Sequence, residues 1–382
     1  AFTLSLQIGL ALYLTSPPAV SSVGASWPNS LALPLASVTA LAALATRRPG
    51  AWTWGGPLAG AAALVALTTL TSLSGSPERR IGFSHLVLVG AYYLVLLAAA
   101  NTVHDSADLE LVLRGLLVSL LVQSLLYFVQ SLVGATFTPA GDWIEPTDSL
   151  GRYGGTVGAR PAMFSSFLLP PLLVAVTQLL TGSEPGLWLR CGLPAAAGAA
   201  ALILTFTRAS WIAFALGLFY LLAAGRRRKL LAPRRVRALV GLLLLLTLAL
   251  SPRILMRVAE DHGAAFDERW ALIQMAARVI QANPLTGVGA GAYPFVFRDY
   301  LTPELADKWL YVVHNVYVLR AAETGLPGLA AWLLFLTAAF RAASPERMTN
   351  PLAVRLALGW RAGLVALGWE MLWDVSLGPA AN

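Results

Sequence analysis

Apolar blocks alternate with polar loops along the whole chain. Eleven blocks are long enough to consider as membrane spans: residues 2–14, 31–45, 58–73, 83–100, 111–133, 162–180, 191–206, 209–224, 236–250, 312–340 and 356–373. A helix needs about 20 residues to cross a bilayer core of about 30 Å, and several blocks are shorter than that. The pattern predicts an all-α, polytopic integral membrane protein that forms a single transmembrane domain over residues 1–382.

Two polar insertions interrupt this pattern. The larger spans residues 252–311, and a smaller loop spans residues 134–160. Within the larger one, apolar residues recur at steps of three and four from Phe266 to Ala282, which predicts an amphipathic helix along the membrane surface. The following NPLTGVGAGAY ends that helix. Its glycines allow backbone amides to face a phosphate, but the spacing fits no nucleotide fingerprint and favours a tight structural turn.

The composition excludes other classes of protein. Apolar residues make up 57% of the chain and charged residues 12%, a membrane profile that a soluble globule does not have. The net charge of +8 comes from basic residues in short loops, where they orient the spans and contact anionic lipid head groups. Nucleic acid is therefore not an expected partner. The single cysteine, Cys191, excludes an internal disulfide and a multi-cysteine metal site.

The densely basic segment Arg226–Arg237 gives the strongest orientation signal. Short loops rich in Lys and Arg stay in the cytoplasm, so this segment is predicted to be cytoplasmic. Alternation of the neighbouring spans then places Arg208 and both polar insertions on the outer side. The same alternation also puts Arg79 and Arg80 outside, which runs against the rule.

Three residues on the predicted outer side carry candidate chemistry. Arg208 is embedded in an apolar run, where a guanidinium needs an anion such as a diphosphate; the alternative is an interfacial anchor beside Trp211. Arg269 lies on the flank of the amphipathic helix and either bends over a pocket or extends toward head groups. His314, at the start of the next span, is a candidate general base or else a polar cap. Arg320 and Glu323 are one helical turn apart and are predicted to form an ion pair.

The run HNVYVLRAAETGLPG resembles the periplasmic motif of the bacterial O-antigen ligase family. That motif is His, then Asn, Ser or Gln, nine residues, Gly, two residues, and a small residue or Tyr. The matching positions are His314, Asn315, Gly325 and Gly328. Further resemblance lies in TFTRASW around Arg208, in ERW at Arg269, and in GRYGGTVGARP, which contains Arg152 and Arg160.

This resemblance implies a membrane-embedded glycosyltransferase of the GT-C type with about 11–12 transmembrane helices in the bacterial inner membrane. The site would face the periplasm and need neither metal nor nucleotide. Its donor would be a glycan on undecaprenyl diphosphate, and its acceptor hydroxyl would belong to lipid A core, another lipid-linked glycan or a protein. Arg208 and Arg269 would hold the diphosphate and His314 would serve the acceptor. Asn315, Arg160 and Arg152 are weaker candidates for substrate binding.

Other functions stay open on the sequence. Glycan polymerases, O-linked protein oligosaccharyltransferases and teichuronic acid ligases share much of this architecture. A secondary transporter is an alternative from another class, and it predicts ionisable residues near the bilayer midplane, paired broken helices and internal repeats.

Overall fold

The computed structural model describes residues 32–47, 50, 52–137, 143–144, 152–155, 161–259, 264–301 and 312–373. The helices are α1 (Ala32–Ala45), α2 (Gly56–Ser72), α3 (Arg79–Thr102), α4 (Ser106–Val133), α5 (Pro161–Thr181), α6 (Leu193–Leu204), α7 (Arg208–Arg227), α8 (Pro233–Ala259), α9 (Ala264–Ala282), α10 (Tyr293–Val296), α11 (Val316–Ala342) and α12 (Pro351–Glu370). A π-helical turn, Trp188–Gly192, precedes α6, and the two-residue strands β1 (Thr136–Phe137) and β2 (Trp143–Ile144) pair in antiparallel fashion. The apolar block 2–14 lies outside the described residues.

The predicted class is confirmed: the chain is an all-α polytopic membrane protein. Within the described ranges, seven helical segments are long and apolar enough to cross a bilayer: Gly56–Gly75, Arg79–Thr102, Ser106–Val133, Pro161–Thr181, Arg208–Arg227, Val316–Ala342 and Pro351–Glu370. The apolar helix Trp188–Leu204 and helix α1 are shorter. Helix α8 continues through Pro252 to Ala259, so the first part of the predicted 252–311 loop is helical.

The described helices form two compact units. Unit 1 contains α1–α3 and α9–α11, within Ala1–His104 and Ala265–Ala342, together with a segment that starts at Met371. Unit 2 contains α4–α8 and α12, within Asp105–Ala264 and Ala343–Glu370.

Helix α5 is the centre of unit 2, because 89% of its most apolar window is buried. Helix α12 packs closely on it through glycines: a Cβ at Gly363 would lie 2.9 Å from Pro170 Cα, and one at Gly359 would lie 2.8 Å from Val174 Cα. Small residues allow two helix backbones to approach in a membrane, where packing and not the hydrophobic effect drives association. The same surface of α12 also receives α7, whose Gly217 faces Ala362.

Polar contacts mark the two opposite ends of unit 2. At one end, the first turn of α7 meets the start of α5 and the end of α12 through Ser210, Ser165 and Glu370. At the other end, Arg228 of the basic segment pairs with Glu346. The Ala232 N–H donates to the Leu180 carbonyl there, at 3.1 Å. Helix α7 therefore runs from the Arg208 end of unit 2 to the basic end.

Unit 1 has two packing layers. Alanines at the contact of α1 and α3 form a small cluster of Ala40, Ala43 and Ala98. Helix α11 packs on α2, and helix α9 packs on the chain around α10 and on the start of α11. The predicted amphipathic helix is confirmed, since α9 buries Leu272, Met275 and Val279 in this second layer.

Candidate functional site

Helix α11 is broken in its third turn. Gly325 has φ 72° and ψ 176°, a backbone conformation that only glycine adopts without strain. Pro327 follows two residues later and has no N–H to give to the carbonyl of Glu323. The break therefore leaves three backbone groups without their usual helical partners: the carbonyls of Ala322 and Glu323 and the N–H of Leu326. We call Ala322–Leu326 the helix break.

The segment Pro284–Tyr293, here called the glycine loop, supplies partners for all three groups. The Val288 N–H donates to the Ala322 carbonyl at 3.0 Å, and the Gly289 N–H donates to the Glu323 carbonyl at 2.9 Å. In return, the Leu326 N–H donates to the Pro284 carbonyl at 2.8 Å. Two motifs that are far apart in sequence thus form one backbone hydrogen-bonded unit.

Three positions of the loop require glycine, because the backbone there is left-handed and a Cβ would collide with neighbouring atoms. Gly287, Gly289 and Gly291 have φ of 66°, 105° and 72°. A Cβ on Gly287 would lie 2.3 Å from the carbonyl carbon of Glu323, and one on Gly291 would lie 2.5 Å from the His85 ring. The loop is buried from residue 287 onward and its amides bond within the protein, so the turn interpretation fits it and the phosphate interpretation does not.

Four ionisable side chains surround this unit. Glu323 is 1% exposed, Tyr293 0% and His85 6%, and Arg320 lies with its guanidinium 5.2 Å from the Trp332 ring centre. The backbone N–H groups of Gly291 and Tyr293 interact with the Glu323 carboxylate, at longer range than a standard hydrogen bond. Burial raises the pKa of Tyr293 above its ordinary value and the Glu323 charge raises it further, so the phenol stays neutral.

The ion pair predicted between Arg320 and Glu323 is wrong. In the part of the chain that the structure describes, the two carboxylate oxygens of Glu323 have no hydrogen-bond partner. The same is true of the Arg320 Nε. The spacing suits a pair on a continuous helix, but Glu323 faces the glycine loop while Arg320 turns to Trp332.

Ionisable residues near the bilayer midplane are one of the features that the transporter alternative predicts. His85, Arg320 and Glu323 lie within the first eight residues of α3 and α11. They meet around the glycine loop, where Gly291 contacts His85 and interacts with Glu323. Their placement at helix ends around a buried loop accounts for them without a transport path.

Asn315 begins helix α11 and holds it in place. Its side-chain oxygen accepts the Val318 N–H at 3.0 Å, which is the usual role of an N-cap asparagine. Its amide nitrogen donates to the Leu372 carbonyl at 3.1 Å, and the Val316 N–H donates to the Met371 carbonyl at 2.8 Å. These contacts fix the backbone directly after His314, whose side chain is half-buried.

The segment before His314 belongs to the same core as helix α9. Val312 and Val313 belong to the same buried hydrophobic cluster as residues of α9, among them Ala271 and Met275. Arg269 lies on α9 two residues before Ala271, is half-buried, and precedes an exposed Trp270. The structure therefore places Arg269 and His314 on segments that share one core, both in unit 1.

Arg208 lies in unit 2, as the first residue of α7. The residue two before it, Phe206, is buried with φ 52°, a left-handed conformation that is uncommon outside glycine and strained for a bulky side chain. This tight reversal between α6 and α7 sets where Arg208 projects. The Trp211 indole N–H donates to the Leu202 carbonyl at 3.2 Å, so this ring is bound to the turn and not only to the membrane boundary.

Glu370 is a residue that the sequence interpretation missed. It is 1% exposed, and the Ser210 hydroxyl donates to its carboxylate at 2.6 Å; Ser165 bonds Ser210 in turn, also at 2.6 Å. A single acidic residue near the end of an apolar block was the available signal. The network secures the first turn of α7, two residues after Arg208.

The weaker candidates occupy the smaller polar loop. Arg152 is half-buried in unit 2, next to Tyr153, whose ring meets Tyr127 edge to face at 6.0 Å. Gln130 binds the backbone of Gly155 through two hydrogen bonds, which docks this part of the loop on the end of α4. Arg160 lies outside the described residues, so its predicted role stays a prediction.

The candidate residues belong to no metal-ligand cluster within the described part of the chain, and they do not line the cavity at one end of unit 2. No three His, Cys, Asp or Glu side chains converge as metal ligands within the described ranges. A cavity of about 310 Å³ in unit 2 is lined by Glu110, Glu184, Arg190 and Arg355, which form the pairs Arg190–Glu110 and Arg355–Glu184. It lies where α4 and α12 begin, at the end of unit 2 opposite Arg208.

The fold and these segments define a polytopic membrane protein whose polar groups concentrate at helix ends. Residues 193–333 match the family model described as O-antigen ligase, and this match supports assignment of the chain to the O-antigen ligase family. No curated protein matches the chain. The matched stretch contains Arg208, Arg269, His314, the glycine loop and the helix break. The match supports an O-antigen ligase or polymerase-like function in general, which makes the protein an enzyme of the glycosyltransferase type.

Proposed function

We propose that the protein transfers a glycan from undecaprenyl diphosphate to an acceptor hydroxyl at the periplasmic face of the bacterial inner membrane. The acceptor would be lipid A core or another cell-surface molecule. The observation that carries the proposal is the shared core of α9 and the segment before His314, because these two segments carry motif residues 45 positions apart inside the family match. The third, Arg208, begins a span whose other end meets the basic segment.

The proposed reaction is one direct displacement. The acceptor oxygen forms a bond to the anomeric carbon while the bond from that carbon to the diphosphate oxygen breaks, so the sugar configuration inverts. An imidazole nitrogen of His314 takes the acceptor proton. Arg208 and Arg269 bind the diphosphate before transfer and offset the charge that grows on it as the bond breaks. Because a lipid diphosphate is already a good leaving group, charge stabilisation and positioning supply most of the catalysis.

Transfer in a purified system tests this proposal. Protein in detergent or liposomes is mixed with an undecaprenyl-diphosphate glycan and, in separate reactions, lipid A core, a second lipid-linked glycan and an acceptor protein. We expect a glycan-linked lipid A core product in the presence of EDTA and without nucleotide. A product only with the second lipid-linked glycan would make the protein a polymerase, and a product only with protein would make it a protein glycosyltransferase. No transfer to any of the three would overturn the proposal.

Thiol labelling tests the proposed orientation. Cys191 is buried and is the single cysteine, so Cys191→Ser gives a clean background. In intact cells, Leu285→Cys, at an exposed position after α9, should react with an impermeant maleimide. Ala232→Cys, beside the basic segment, should react only after the membrane is permeabilised. Labelling of Ala232→Cys from outside would reverse the orientation and remove the site from the periplasm.

A further inference from the structure

We infer that Glu323 is a positioning residue: its buried carboxylate holds the glycine loop on the helix break and thereby sets helix α9, with Arg269, against the segment that carries His314. This inference rests on the proposed function for its catalytic consequence. Its structural part concerns one compact unit and stands without it.

The glycine loop follows helix α9 directly in the chain. Helix α9 ends at Ala282, and the glycine loop follows directly after Asn283. The Asn283 N–H still bonds to α9 through the Val279 carbonyl at 3.0 Å, so a shift of the loop moves the end of the helix with it. On the other side, the helix break begins only six residues after Val316, the first residue of α11. The loop and the break thus connect the two segments by a short, ordered path.

The glycine loop and the helix break are in close backbone contact. Three backbone hydrogen bonds join the loop to the break, and the two backbones lie in direct contact there. A Cβ on Gly325 would lie only 2.3 Å from the Leu285 carbonyl oxygen, so no larger residue fits at this position. On its far side the loop is fixed to the corner between α2 and α3: the Ala290 N–H bonds the Ser72 hydroxyl at 3.2 Å, and Gly289 faces Ser76. The loop is therefore held between two parts of unit 1, and small changes in it are passed to both.

The Glu323 carboxylate lies beside the second half of the glycine loop. The backbone bonds use the amides of Val288 and Gly289, whereas the Glu323 side chain reaches the next amides, those of Gly291 and Tyr293. The Glu323 side chain is 1% exposed, and among the described residues its carboxylate has no hydrogen-bond partner at standard distance. Burial of such a group costs free energy, so its presence in a span points to a functional role. The carboxylate faces these two N–H groups beyond standard hydrogen-bond distance and attracts the second half of the loop electrostatically, whereas the backbone hydrogen bonds fix the first half.

Spin-label distances test the structural part without any reaction. In the Cys191→Ser background, labels at Gln281→Cys on α9 and Ala330→Cys on α11 occupy exposed positions. Glu323→Ala should shift or broaden the distance distribution, and Glu323→Gln, which keeps one acceptor oxygen of similar reach, should restore much of it. Gly325→Ala should produce a change similar to that of Glu323→Ala. Gly90→Ala on α3, where a Cβ would meet nothing within 4 Å, is the matched control and should leave the distribution as it is.

Kinetics test the catalytic consequence. A displacement of about 1 Å between reacting groups costs about 100-fold in rate, so Glu323→Ala should lower kcat about 10- to 100-fold, and donor binding should weaken to the extent that Arg269 moves with α9. Glu323→Gln should recover part of the rate. Unchanged distances in both Glu323 variants and Gly325→Ala would overturn the inference, as would altered distances with unchanged kcat. If the wild type itself transfers no glycan, the proposed function fails while the distance measurement still decides the positioning role.

Discussion

Arg208→Ala and Arg269→Ala are each expected to abolish most use of the lipid diphosphate donor. A guanidinium that is desolvated against a diphosphate contributes about 2–5 kcal/mol, whereas an exposed ion pair contributes about 0–1 kcal/mol. Arg→Lys at each position should also impair donor use, since an ammonium lacks the planar fork that binds two oxygens at once. Donor binding and transfer, measured on the same purified variants, give the size of each loss.

The control for this experiment is Arg114→Ala. Arg114 is 64% exposed and pairs with Glu110 one turn away on α4, so its removal should cost little. Wild-type donor binding in Arg208→Ala would remove Arg208 from the diphosphate site. If Arg269→Ala alone kept normal binding, the other interpretation of this residue, an arginine that extends to lipid head groups, would hold.

His314→Ala should lose turnover while the donor still binds. General-base assistance is typically worth about 10²–10⁴-fold, and departure of an activated diphosphate ahead of hydroxyl attack places the expected loss toward the lower part of that range. His314→Gln separates two roles, because glutamine keeps a hydrogen-bonding side chain without a titrating nitrogen. Single-turnover transfer rates, together with donor affinity, are the measurements that resolve binding from chemistry.

The outcomes for His314 point to different sites. A near-normal rate in His314→Gln would mean that the residue orients the acceptor and takes no proton. Loss of donor binding in both variants would place His314 with the arginines on the diphosphate. His104→Ala is the control, since this histidine lies between α3 and α4 and its ring contacts the Asn101 carbonyl at 2.9 Å.

The elements of the fold were largely readable from local patterns. The apolar blocks from residue 31 onward correspond to helices, and the three- and four-residue spacing of α9 was correct. The end of α9 at the NPLTG turn was also correct, because proline and glycine act locally. The strained turn at Phe206 was not predictable, since no glycine marks it and the surrounding packing imposes the conformation.

The sequence could not show which motifs join. The glycine loop and the helix break are more than 30 residues apart, and their backbone bonds depend on tertiary packing that no local pattern encodes. Spacing alone paired Arg320 with Glu323, but tertiary packing turns Arg320 toward Trp332 and Glu323 toward the glycine loop. The role of Glu370 was equally unpredictable, because its hydrogen-bond network with Ser210 and Ser165 involves two other helices.

The interruption in α11 also constrains how the protein is assembled in the membrane. During synthesis the glycine loop precedes α11, and its bonds to Ala322, Glu323 and Leu326 require the helix break to lie against it. Before those bonds form, entry of the break into hydrocarbon would expose three bare backbone groups, each of which costs several kcal/mol. The early turns of α11, from Val316 to Thr324, should therefore stay near the lipid head groups and settle to full depth only when the loop closes over them. We therefore expect this span to insert in two stages, the second of which requires the glycine loop that precedes it in the chain.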